Sequence, residues 1–556
     1  MSTSDVDANH SSAPEFMTLA QASELIAAKR MSPVEYLQAL QHRIDALDDQ
    51  LCAFITRTDE IALGQARAAE QEIVHGQHRG ALHGIPFALK DVFDTANVRT
   101  TGHSKLGIDN VPARNATAVQ RLIDEGAVML GKVATHEFAS GGPSLDLPWP
   151  PARNPWNTAC FTGASSSGSG AAVAAGFCPA ALGTDTGGSI RIPAALCGVA
   201  GLKPTYGRVS RRGVIPNSFT FDHAGPLAWT VEDCALLLQC IAGHDADDPS
   251  SSTTAVPDYR AALSGDIRGL RIGVVRHYWE EEGNIHPEAA RAMEDAIEIL
   301  EKLGARIGTA RMRSRQAYND VKMVIAKSEI VIVHERNMRE RLSEFGADFI
   351  GRNLPGFLFS AADYVRAQRV RRRMVEEMVP LYQKFDVLLT ASSAPASRLD
   401  ALIGSGFSTK WESPNIYTPF NVTGGPALSV CNGYTIDGMP LAMQIVGRPF
   451  DETTVLRVGD AYERATSWRA RRPQLTAGTP APALTASTET MPDPDTIDES
   501  TRATVDAAIR RAGLALADRH RALLYRVAEP VLQAVARIDR DYPFGDEPAN
   551  VFRLDR

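Results

Sequence analysis

Residues 181–195 read ALGTDTGGSIRIPAA. A run of small apolar residues leads into Thr186, Gly187 and Gly188, and then into a lone serine, Ser189, with no histidine nearby. Two readings compete for such a turn. In one, the glycines only relieve crowding. In the other, Ser189 is a nucleophile beneath a row of backbone N–H groups, which glycine's freedom allows to converge on one point. The Gly-x-Ser-x-Gly elbow of the α/β-hydrolases is absent, so that fold is not supported. A serine without histidine needs its base from elsewhere in the chain.

Two segments upstream bear on that need. HGIPFALKD (83–91) reads as an apolar strand ending at Lys90. A lysine there either reaches out to solvent or stays desolvated, and desolvation disfavours the ammonium form and frees a neutral amine to act as a base. FTGASSSGSGAAVAAG (161–176) is a Gly/Ser turn entering a helix of small residues. Gly163 and Gly168 have phosphate-loop spacing, but Ser169 stands where that loop needs lysine, so nucleotide binding is disfavoured. The dinucleotide fingerprint fails as well, because Val173 occupies the third glycine position.

These segments together resemble the amidase signature family. The likeness runs from about Thr18 to Pro473 and takes in FDHAGPLAWTVED (221–233), FDVLLTA (385–391), FNVTGGPALSVCNGY (420–434) and GMPLAMQIVGRPFDE (438–452). The resemblance implies an α/β fold, with a mixed central β-sheet covered by helices on both faces. It also implies a Ser-cisSer-Lys triad. Ser189 is then the nucleophile, Lys90 the base, and Ser165 the bridge, with a cis peptide bond to Ala164. Thr186, Gly187 and Gly188, with Ser189 itself, would supply the oxyanion N–H groups. Ala164 and Ser167 stand at two positions where the family has glycine. Arg191 is read as structural. No cofactor and no metal enter this chemistry.

Composition agrees with an enzyme of this kind. The chain has 556 residues, 44% hydrophobic and 22% charged, which are ordinary values for a globular protein with a sizeable core. A net charge of −8 argues against a nucleic-acid-binding surface. Seven scattered cysteines without a C-x-x-C pair fit a reducing compartment and speak against zinc. There is no basic start followed by an apolar core, and no apolar run long enough for a bilayer, so a cytoplasmic protein without membrane attachment is expected.

Four regions are expected along the chain. Residues 1–17 are polar and read as a disordered tail, and 18–475 as the catalytic domain. Residues 476–496, rich in Pro, Thr and Ala, read as a linker, and 497–556 as a small helical extension. The extension resembles the helical accessory subunits of tRNA amidotransferases and of a carboxybiuret hydrolase. Too small for its own core, it must bury its apolar face against residues 18–475 or against a second copy, which would make a homodimer.

The leading expectation is a hydrolase of small non-peptide amide, urea-like or carbamate C–N bonds acting through an acyl-enzyme. Residues 132–150 and 404–421 are the candidate pocket walls. The alternative is the amidase subunit of a tRNA-dependent amidotransferase, passing ammonia to a partner. A catalytically dead binding module is disfavoured, because all three triad positions are occupied.

Overall fold

The computed structural model describes residues 13–283, 285–392, 394–403, 414–485 and 497–541. The N-terminal twelve residues, most of the linker, the first part of the 404–421 segment and the end of the extension lie outside the described residues. Ahead of Thr18, Pro14–Phe16 form a 3-10 turn, and the Phe16 ring lies beneath the guanidinium groups of Arg43 and Arg472 at 4.6 and 5.2 Å.

In chain order the strands are β1 (Phe54–Arg57), β2 (Pro86–Lys90), β3 (Val128–Val133), β4 (Arg153–Asn154), β5 (Asn157–Phe161), β6 (Ala180–Asp185) and β7 (Ala200–Lys203). They continue with β8 (His223–Ala228), β9 (Arg271–Val274), β10 (Arg306–Thr309), β11 (Val387–Ala391), β12 (Ala427–Tyr434) and β13 (Pro440–Gly447). Eleven of them form one sheet in the order β1-β3-β2-β6-β8-β7-β12-β13-β11-β9-β10, while β4 and β5 make a separate hairpin. The sheet is mixed, as expected. β2 runs parallel to both β3 and β6, and β9 parallel to β10 and β11, whereas β8, β7, β12 and β13 pair antiparallel.

Both faces of the sheet are covered. Along β2, Phe87 and Leu89 join one core and Ala88 joins another, as the two-residue period of a strand requires. The Ala88 face is packed by helices Pro33–Leu51, Asp59–Val74 and Ser167–Ala175. Ser32 caps the first of these by accepting from the N–H groups of Val34 and Glu35, with Pro33 at the first helical position. The Leu89 face is packed by helices that include Val231–Ile241, Pro287–Lys302 and Glu452–Arg464. No described helix is long and apolar enough to cross a membrane.

The extension folds back on its own chain. Helices Glu499–Ala512 and Asp518–Arg537 pack on one another, on helix Arg315–Val333 and on the 3-10 turn Leu354–Leu358. The second helix buries Leu523, Leu524, Val527, Ala528, Val531 and Ala534, an i, i+3, i+4 stripe that faces the body. Arg537 donates to both Asp320 carboxylate oxygens at 2.7 and 2.8 Å, and Arg511 donates to the Phe357 carbonyl at 2.9 Å. The first part of the linker also lies on the body: Gln50 donates to the Thr476 carbonyl and Arg153 to that of Pro482.

Candidate active site

Parallel pairing of β2 with β6, in the register Leu89 to Leu182, brings the C-terminal ends of both strands to one edge of the sheet. Lys90 ends β2, and the Thr186–Ser189 turn begins where β6 stops. Crevices at such strand ends are common places for chemistry in α/β sheets. A third element completes the cluster. Helix Ser167–Ala175 starts beside β6, because Ser166 Oγ accepts from the Thr184 N–H at 3.2 Å and Ser169 Oγ donates to the Leu182 carbonyl at 3.0 Å. Only glycine fits at Gly168, where a Cβ would lie 2.3 Å from the Ala134 nitrogen.

Lys90 is fully buried, and its Nζ lies 2.7 Å from Ser165 Oγ and 2.7 Å from Thr184 Oγ1. Burial drives its pKa down, the charges of Asp222 and Asp185 oppose this, and the result is about 7. Lys90 therefore exchanges its proton near neutrality while touching a hydroxyl. The Ala164–Ser165 peptide is cis. The side chain of Ala164 packs with Phe161, Leu196, Leu399 and Ile403, and Ser167 donates to the Ala134 carbonyl at 3.3 Å, so both departures from glycine have room.

Ser189 stands between β6 and helix Arg191–Cys197 and is 8% exposed. The Ser166 N–H donates to the Ser189 carbonyl at 3.2 Å, which ties the two serine loops together. The turn is fixed from below by Asp185. Its carboxylate accepts from the N–H groups of Gly188 at 2.7 Å and Ile190 at 3.2 Å, and from Arg191 Nε at 3.0 Å. Burial opposes ionisation of Asp185, but Arg191 and Asn421 more than offset it and hold the carboxyl well below the usual range. Arg191 is wholly enclosed and also donates to the Tyr417 carbonyl, Gln444 Oε1 and Asn421 Oδ1, in keeping with a structural role.

One expected donor is turned elsewhere. Because the Gly188 N–H points inward to Asp185, the expected set of four oxyanion donors narrows to Thr186, Gly187 and Ser189. Those three N–H groups have no protein partner among the described residues. Gly188 serves the turn instead: its φ is +120°, and a Cβ there would meet Ile192 Cδ1 at 2.8 Å and Tyr417 Cβ at 2.9 Å. Thr186 is anchored through its hydroxyl, which donates to Asp222 Oδ1 at 2.6 Å.

Of the candidate walls, residues 132–150 reach the cluster, since the His136 N–H donates to the Ser165 carbonyl at 3.2 Å. In the other, Tyr417 packs at Gly188 while 404–413 lie outside the described residues. Sequence reading missed Thr184 and Asp185. Both stand inside the quoted stretch, but only strand pairing shows that they face Lys90 and the turn.

Comparison with known proteins accords with this geometry. The family model "Amidase" matches residues 35–456. A glutamyl-tRNA(Gln) amidotransferase subunit from Chloroflexus aggregans is 41% identical over 484 residues, 83% of this chain and 98% of that protein. Among solved structures, a chain from a vestigial complex that bears on the origins of an s-triazine catabolic enzyme superposes with a TM-score of 0.75 at 33% identity, covering 83% of this chain and 100% of that one. The native peptide amidase of Stenotrophomonas maltophilia gives a TM-score of 0.71 at 30% identity, covering 83% and 99%. The name of the Chloroflexus relative matches the amidotransferase alternative more closely than the leading small-amide expectation.

Proposed function

Since the chain belongs to the amidase family, we propose that it cleaves a carboxamide C–N bond through an acyl-enzyme on Ser189, with Ser165 as proton bridge and Lys90 as base. The observation that carries this reading is the 2.7 Å contact between a fully buried Lys90 Nζ and Ser165 Oγ. Neutral Lys90 takes the Ser165 proton as Ser165 takes that of Ser189, and Ser189 Oγ attacks the carbonyl carbon. The N–H groups of Thr186, Gly187 and Ser189 receive the oxyanion. As the C–N bond breaks, the proton returns from Lys90 through Ser165 to the leaving nitrogen. Water then attacks the ester as Lys90 accepts its proton through Ser165, and that proton passes back to Ser189 Oγ as the ester C–O bond breaks and the acid is released.

The amidotransferase relative from Chloroflexus supports a glutaminase role, in which ammonia freed from glutamine passes to a partner acting on a charged tRNA. A second reading, a free-standing hydrolase of small amides, urea-like compounds or carbamates, is favoured by one observation. The helices Glu499–Ala512 and Asp518–Arg537, which resemble a separate accessory protein, are here part of the chain and occupy its own surface. Ammonia release by the purified chain, without partner or ATP, separates the two. Turnover of glutamine only when amidotransferase partners are added would support the glutaminase. Brisk turnover of simple amides or carbamates by the chain alone would support the hydrolase. Absence of both, with Ser189 inert to acylating probes, would refute the common mechanism.

A further inference from the structure

Gly187 is a glycine without a conformational reason. Unlike Gly188 it does not sit in the left-handed region, so its backbone would accept another residue. What a side chain there would meet is a single group, the head of Lys322, with Nζ 3.2 Å and Cε 3.3 Å from the place of a Cβ. Glycine at 187 thus leaves open the approach of an ammonium to the turn that carries Ser189. Lys322 is only 8% exposed, so its head reaches the turn from within the fold.

Lys322 reaches the turn from helix Arg315–Val333. Two residues earlier on that helix, and so on a widely different face, Asp320 is clamped by Arg537 of the C-terminal extension at 2.7 and 2.8 Å. The helix is therefore held from outside while Lys322 points at the site. The carboxylate that holds the Thr186 side chain has other work. Asp222 is occupied by the Thr186 hydroxyl at 2.6 Å and by the N–H groups of Asn217 and Ser218 at 2.8 and 2.9 Å. An ammonium carries three donors, so Lys322 can serve a substrate in addition to a protein neighbour.

We propose that Lys322 is a specificity-determining residue, which selects amides whose acyl portion carries a carboxylate by pairing with it beside Gly187. It approaches on the Cβ side of Gly187 rather than along the N–H that would meet the oxyanion, so its part is recognition of the acyl group. The inference rests on Ser189 being the nucleophile of the proposed reaction.

The test uses the monoamides of malonic, succinic and glutaric acids, each beside a neutral twin in which a methyl ketone replaces the carboxylate. For the full-length protein, at least one charged amide is expected to exceed its twin tenfold or more in kcat/KM. Lys322→Met should lower that value about 30-fold or more, mainly through KM, as loss of a buried charge partner does. It should move the twin less than threefold, and Lys322→Arg should recover part of the loss. Equal losses on both members of a pair, or no preference in the parent protein, would overturn the proposal. Binding of the same pairs to Ser189→Ala, with and without Lys322→Met, needs no turnover. If the parent hydrolyses nothing, the hydrolase reading fails, and a charge preference in binding that disappears with Lys322→Met still upholds the role of Lys322. Binding without such a preference sinks it.

Discussion

Two lysines on neighbouring strands, Lys90 on β2 and Lys132 on β3, are both fully buried and yet built for different ends. The register pairs Leu89 with Lys132 and Lys90 with Val133, so their side chains leave opposite faces of the sheet. Lys132 donates to the Phe93 carbonyl and, at 2.7 Å, to Thr100 Oγ1. Burial lowers its pKa to about 8 against the opposing pull of Asp91 and Asp94. Asp91 is its counterpart: burial raises that carboxyl to about 6, and Lys132 is the first influence holding it down. Lys90 instead contacts two hydroxyls, of which Ser165 can pass a proton onward. Burial alone does not make a base; the difference lies in whether the neighbours can relay what the amine accepts.

The comparison breaks most visibly in turnover. Lys90→Met and Ser189→Ala should each lower kcat/KM about a thousandfold or more with the melting curve nearly unchanged, since in the proposed mechanism each removes a step that no other group supplies. Near-native activity in Lys90→Met, measured on an unactivated amide, would equate the two lysines and end the distinction. Lys132→Met should do the reverse. It removes the main charge that holds the buried Asp91 carboxyl down, so a loss of about 3 kcal/mol is expected in urea unfolding, while the folded fraction keeps its kcat.

A pH profile sharpens the contrast. In the proposed mechanism the neutral amine is the base, so log kcat/KM should climb by about one per pH unit below roughly 7 and level off above it. Lys132→Met should leave that limb in place, whereas a limb that shifts with Lys132 would assign the titration to the wrong lysine. The smallest effect concerns Thr184, the second hydroxyl on Lys90. Thr184→Val should cost about tenfold or less in kcat/KM, because Ser165 remains to orient the amine. A thousandfold loss there would make Thr184 part of the relay itself.

Much of this contrast was legible beforehand, though unevenly. Lys90 at the end of an apolar run, the serine-rich loop with Ser165, and Ser189 behind two glycines all stand out in the linear chain. Lys132 does not: GKVA after an amphipathic helix reads as an ordinary strand. Gly188 looked like one more oxyanion donor, and only the Asp185 carboxylate beneath it shows that its N–H is already engaged. The helix Arg315–Val333, which brings Lys322 to the turn, carries no motif that announces a site.

By itself the sequence determined the fold class and the residue types of the candidate triad. These depend on local signals, such as an apolar strand and glycine-rich turns, and on an ordered series of motifs. Which hydroxyls Lys90 touches, which face Lys132 takes, where the Gly188 N–H points and which lysine stands at Gly187 were decided by the tertiary structure alone. Each depends on strand register and helix placement between residues distant along the chain, and those contacts leave no periodic trace in it.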